Sequence, residues 1–270
     1  MTHERWVELP QLMGAVHDGA SVAVGGFMVS RAPMAMVFEL IRQQRKGLKL
    51  ISLPNPLPAE LLVAAGCASR VEFPFLALSV ANRVRPMPCL KRAIECDEIE
   101  WVEHDGYRVV QRLRAASMGL PFIPAPGIDE NDLAALDPVQ FVIDPFTGTS
   151  VPVEKAFYPD VALIHAQLAD DQGNVFIEDP TTDLLVAGAA RSVLVTAEKR
   201  VGRLDRVTLP AFQITALCEI QGGALPTGCT GSYALDETLL VEYLELAEAN
   251  RQQEWLQQHV LASAHHAVAA

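Results

Sequence analysis

The chain contains no run of about 18 uncharged apolar residues, the length a helix needs to cross a bilayer, and its opening residues Met1 to Glu8 carry no apolar signal region. It has no C-x-x-C pair. Its five cysteines, Cys67, Cys89, Cys96, Cys218 and Cys229, are an odd number without framework spacing, which suits reduced thiols in a cytoplasm. Cations are also scarce: 21 Lys and Arg stand against 33 Asp and Glu, a formal net charge of −12, with aromatics at 6% and no basic cluster interleaved with them. That balance argues against nucleic acid or an anionic membrane surface as a partner. His265-His266 near the end of the chain lack two further ligands, so no metal site is expected.

The 270 residues, half of them hydrophobic and 20% charged, suffice for one α/β domain with a sizeable core. Ser21 to Gln43 sets the pattern: a buried strand at Val22 to Val24, the pair Gly25-Gly26, a polar passage through Ser30 and Arg31, and a helix opened by Pro33. Leu48 to Leu53 reads as a second strand, which makes a βαβ unit. Further strands are expected at Val71 to Leu76, Ile99 to Glu103, Asp160 to Gln167, Val175 to Ile177 and Ser192 to Glu198. Helices are expected at 59–66, 108–118 and 184–191. Residues 125–158, rich in Pro, Gly and Asp without sustained periodicity, read as an irregular arm or lid, and about 262–270 as a disordered tail.

The Gly25-Gly26 turn reads equally well as plain architecture or as a cradle for an anion or oxyanion, because glycines uncover backbone N–H groups and a following helix start adds positive dipole. It lacks the G-x-G-x-x-G of a dinucleotide site and the G-K-[ST] of a phosphate loop. Asn55, within the proline-rich loop after the second strand, falls where open α/β sheets place ligands, although a locally satisfied turn asparagine is the commoner outcome. The stretch Ser79 to Pro86 reads as a polar loop whose Ser79, Asn82, Arg83 and Arg85 suit a carboxylate or phosphate. Glu103 fits an acid or base as well as a helix cap. His165 reads as a structural histidine at a strand end.

Five segments in order, V-A-V-G-G-F at Val22 to Phe27 with S-R-A-P after it, A-A-S-M-G-L-P-F-I-P at Ala115 to Pro124, D-V-A-L-I-H-A-Q at Asp160 to Gln167, the D-x-x-G-N turn ending at Asn174, and G-A-L-P-T-G-C-T-G-S-Y at Gly223 to Tyr233, resemble the A-type subunit of family I CoA-transferases, the glutaconate type in particular. The resemblance spans nearly the whole chain. It implies an open, mainly parallel α/β sheet flanked by helices, of the NagB/RpiA-like kind, and a B-type subunit that completes a heterodimer or heterotetramer with an active site between the two. By this resemblance Gly25, Gly26 and Phe27 form an oxyanion turn against a thioester carbonyl, Ser30 and Arg31 lie at the edge of the site with Arg31 on a substrate carboxylate, and Ser79 contacts substrate. The substrate is a coenzyme A thioester, with no bound cofactor and no metal.

In this family the nucleophile is a glutamate in an S-E-N-G-type motif of the B subunit. No such motif occurs here, the nearest string being Asp129-Glu130-Asn131-Asp132. The chain is therefore expected to act only with its partner, on a short dicarboxylic acyl-CoA of the glutaconyl type. Relatives with an altered B-side nucleophile imply the alternatives of decarboxylation of a 3-methylglutaconyl-CoA-like ester or acyl-CoA hydrolysis, and a non-catalytic scaffold is the remote one.

Overall fold

A computed structural model describes residues 5–128 and 137–262. After a short helix, α1 (Leu9–Met13), the chain enters β1 (Ser21–Val24), α2 (Met34–Arg42), β2 (Leu48–Ser52), α3 (Pro56–Ala64) and β3 (Ala68–Phe73). Val22 and Val24 face one hydrophobic layer and Ala23 the other, so β1 is covered on both sides, as a central parallel strand must be. The proline-rich stretch after β2 is shorter as a loop than expected. Pro56 and Pro58 lie in the first turn of α3, where the missing N–H costs no helical hydrogen bond.

Beyond β3 come β4 (Ala77–Val80), β5 (Arg83–Pro86), α4 (Pro88–Glu95), β6 (Glu100–Glu103) and α5 (Gly106–Ser117). The expected polar loop at 79–86 is instead an antiparallel hairpin pairing Ser79 with Val84. Its two-residue turn is Ala81-Asn82, both left-handed at φ 50° and 59°. That geometry matches strand twist, but without an Asn-Gly pair it leaves little trace in sequence.

Next are β7 (Phe122–Pro124), β8 (Gln140–Ile143) and β9 (Ser150–Lys155), which form a small antiparallel sheet in the order β7-β9-β8. The reading of 125–158 as irregular is therefore corrected over 140–155. Strands of four and six residues joined through Asp144 to Gly148 are too short to show a period. Residues 129–136, with the Asp129 to Asp132 string, and 263–270, with most of the expected tail and His265-His266, lie outside the described residues.

The chain closes through β10 (Val161–Asp170), β11 (Val175–Phe176), α6 (Asp183–Ala189), β12 (Ser192–Val201), β13 (Ala216–Glu219), α7 (Glu237–Glu248) and α8 (Gln252–Leu256). The main sheet has the order β13-β12-β10-β1-β2-β3-β6, parallel throughout, with β11 antiparallel on β10. This is the open, mainly parallel sheet expected from the sequence. The larger core lies on the side of α1 to α4, α7 and α8, and a smaller one on the side of α5 and α6. Its edge is stepped: β10 meets β1 only at Val161 to Leu163, yet it runs on beside β12 as far as Asp170.

On the smaller-core side, β3, β6 and α5 are tied by charge. The Glu72 carboxylate accepts from Arg70 Nη2 (3.1 Å), Arg112 Nη1 (2.7 Å) and His104 Nε2 (3.2 Å). Burial alone raises its pKa, but the His104 hydrogen bond and the charges of Arg112 and Arg70 outweigh that and hold it at about 2. The folded-state value is depressed, so this group contributes stability above the ordinary value of 4.5 and loses it as the pH falls toward 2. Glu72→Gln is expected to cost on the order of 3 kcal/mol at pH 7. Urea denaturation at several pH values should show wild type and variant converging as the pH drops from about 5 to 2.

Candidate functional site

Strand order reverses at β1: the chain proceeds from β1 through β2 and β3 to β6 on one side, and through β10, β12 and β13 on the other. The crevice outside the carboxyl ends of strands at such a switch is where open sheets bind ligands. Gly25 to Arg31 fill it. Phe27 and Ser30 exchange backbone hydrogen bonds (2.9 and 2.8 Å) around Met28-Val29. Gly26, Met28 and Arg31 are left-handed at φ 77°, 54° and 53°.

Most donors of this turn are engaged within the chain. Gly25 N–H donates to Leu163 O (2.8 Å), Gly26 N–H to Asp183 Oδ1 (2.9 Å), Phe27 N–H to Ser30 O and Met28 N–H to Pro54 O (2.9 Å). The expectation that Gly25, Gly26 and Phe27 offer free N–H groups to an oxyanion is thereby corrected. What the turn presents outward is the Phe27 ring, 41% exposed.

Arg31 is corrected in the same way. It is 1% exposed, its Nη2 binds Asp183 Oδ2 at 2.8 Å and also Asp179 O, and its Nη1 binds His165 O at 3.2 Å. A guanidinium held by a buried carboxylate cannot reach a substrate carboxylate without exposing that partner. Arg31 is an internal tie of the turn.

Asn55 does belong to this assembly. It is fully buried and its Nδ2 donates to Gly25 O at 2.8 Å, while its Oδ1 has no partner. Ser30 lies beside Gly228. Ser79 sits elsewhere, exposed on the β4–β5 hairpin opposite Val84. Glu103 ends β6, exposed, three strand spacings from β1, or about 14 Å across the sheet. The cap of α5 is Asp105, which accepts from Arg108 N–H at 2.8 Å.

Two acidic groups organise the site that the sequence reading did not single out. Asp183, fully buried at the start of α6, grips the turn as described, and Thr182 Oγ1 adds a bond to Gly26 O (3.0 Å). Glu198, near the end of β12, holds the glycine-rich loop 222–233. It accepts from Gly222 N–H (2.8 Å), Gly223 N–H (3.1 Å), Tyr233 OH (2.6 Å) and His165 Nε2 (2.7 Å). Burial pushes its pKa up, but the bonds from His165, Tyr233 and Gly222 prevail and keep it low. The loop then backs the turn, Gly228 O accepting from Arg31 N–H (2.7 Å) and Thr227 Oγ1 from Ala32 N–H (3.1 Å).

His165, Glu198 and Cys229 bring potential metal donors within 4.8 Å of one another. His165 is already engaged at both nitrogens, by Thr196 Oγ1 (2.9 Å) and Glu198, and burial pushes the Cys229 thiol up to about 11. A neutral thiol and a fully hydrogen-bonded carboxylate form a structural tie rather than a ligand set.

Residues 11–215 match the family model described as coenzyme A transferase. Among curated proteins, an uncharacterised protein of Archaeoglobus fulgidus is 33% identical over 86% of this chain, which spans 53% of that relative's length. The A-type subunit of the 3-oxoadipate CoA-transferase of Pseudomonas knackmussii is 32% identical over 82% of this chain and 80% of its own. Among solved structures, a chain of a variant of the decarboxylase AibA/AibB is 61% identical, with 94% of this chain and 97% of that one covered and a TM-score of 0.93. Glutaconate coenzyme A-transferase from Acidaminococcus fermentans shares the fold, with a TM-score of 0.90 at 22% identity and coverage of 97% and 90%.

A Cβ placed on Gly26 would lie 2.5 Å from Arg31 O and 2.7 Å from Ser30 O, and a side chain at φ 77° adds about 1–2 kcal/mol of backbone strain. Gly26→Ala is therefore expected to lower the melting temperature by several degrees by distorting the turn itself. Gly119→Ala, also left-handed at φ 70° but with nothing within 4 Å, should cost less in the same melt. Equal losses at the two positions would remove the argument from crowding.

Proposed function

This chain belongs to the coenzyme A transferase family, and on that premise we propose that it is the A-type subunit of a two-subunit enzyme acting on the CoA thioester of a short, glutaconyl-like dicarboxylic acid. The B-type subunit supplies the reactive group. The resemblance of the sequence led with CoA transfer; the observation that carries the reaction class is the 61% identity to a chain of a decarboxylase over nearly the full length of both. It favours decarboxylation of a 3-methylglutaconyl-CoA-like ester over transfer.

The two chemistries make a common demand on this subunit. In transfer, a carboxylate attacks the thioester carbonyl and the oxygen becomes an oxyanion. In decarboxylation of a conjugated ester, the bond to the carboxylate breaks, carbon dioxide leaves, and the electron pair passes through the double bond onto the same oxygen until a carbon is protonated. Either way negative charge grows on the thioester oxygen, and a rigid crevice at the switch point of the sheet supplies a fixed wall for it. Phe27 offers an apolar surface beside that wall. The five free thiols support a cytoplasmic setting.

The complex purified with its B-type subunit and supplied with 3-methylglutaconyl-CoA is expected to release carbon dioxide and leave an acyl-CoA one carbon shorter. Mass spectrometry of the acyl-CoA pool with an added acceptor acid decides between the reactions. Movement of CoA to the acceptor with the carboxyl group retained would return the assignment to transfer.

A further inference from the structure

We propose that Asp183 is the positioning residue of the acyl-CoA site, its one carboxylate fixing both ends of the 25–31 turn so that the N–H of Val29 is left as the turn's unpaired backbone donor. The inference rests on the reading of this turn as the wall that meets the thioester.

Asp183 Oδ1 takes the N–H of Gly26 at 2.9 Å and Oδ2 takes Arg31 Nη2 at 2.8 Å. The two contacts lie five residues apart, at the two left-handed ends of the turn. Arg31, and Met28 between them, sit in the left-handed region that side chains disfavour, and contacts from outside the turn hold them there. The grip is close. A Cβ on Gly25 would lie 2.5 Å from Asp183 Oδ1, so the carboxylate occupies the space a side chain at position 25 would take.

The remaining polar groups follow. Thr182 Oγ1 donates to Gly26 O and Asn55 Nδ2 to Gly25 O. The N–H groups of residues 25 to 28, 30 and 31 all have partners in strands, loops or the turn itself. Among the described residues that leaves Val29 N–H without one, at a half-buried tip next to the exposed Phe27 ring. A single N–H on a locked turn is a preorganised donor for a developing oxyanion, and its aim depends on the Asp183 clamp.

The experiment uses the complex with the B-type subunit and three variants: Asp183→Asn, Arg31→Met, and both together. Each single change leaves a buried charge without its counter-charge and should lower the melting temperature; the double change removes both charges and should recover most of it. If Asp183 positions the turn, amide exchange across 25–31 in the double variant stays at least about tenfold faster than in wild type. In the same variant kcat on 3-methylglutaconyl-CoA stays at least about tenfold lower while KM moves by less than about threefold. A kcat that recovers along with the melting temperature overturns the proposal, and so does unchanged exchange across 25–31. A wild-type complex that turns over no acyl-CoA ends the functional reading alone, since the exchange rates still judge the clamp.

Discussion

A guanidinium and a carboxylate enclosed together away from water cannot be separated without leaving a bare charge behind, and the Arg31–Asp183 pair, 1% and 0% exposed, places that condition at the centre of the molecule. The pair joins the turn after β1 to the start of α6, and through His165 O it touches β10. Arg31 and Ala32 in turn hold loop 222–233 by backbone and threonine contacts. Four segments scattered over about 200 residues thus meet at one ion pair.

This arrangement explains what the sequence could and could not disclose. The parallel strands were legible because strands covered on both faces are written as unbroken apolar runs, such as Val161 to Ile164. The glycine turn was legible because two adjacent glycines after such a run mark a sharp change of direction. The engagement of the turn was not, since Asp183 lies 157 residues from Gly26 and nothing near Gly26 indicates that its N–H already has a partner. Arg31 misled for a similar reason. An arginine beside a glycine turn suggests an anion, and only the fold shows that the anion is a side chain of the same protein. Glu198 offered a signal of its own, an acidic residue ending an apolar strand, but its task of holding loop 222–233 depends on contacts 24 to 35 residues distant.

Charge is handled in two ways in this acidic protein. On the α5 side, Glu72 is matched by Arg70, Arg112 and His104, so ionisation is stabilised by opposite charge. At Glu198 the carboxylate is held chiefly by neutral donors, two backbone N–H groups and a tyrosine, together with His165. The second arrangement, built chiefly from backbone and hydroxyl donors, lies behind the site.

The stepped edge of the main sheet has a consequence for how such an enzyme diversifies. Past Leu163, β10 continues for seven residues alongside β12, roughly 23 Å of strand, while β1 has already turned away. Beyond Leu163 the edge that β1 leaves is taken first by the 25–31 turn, through Arg31 on His165 O, and then by β11 at Leu168 and Ala169. Reaction chemistry can then change in the B-type subunit, while the turn described here, constrained by its buried charges, stays as it is.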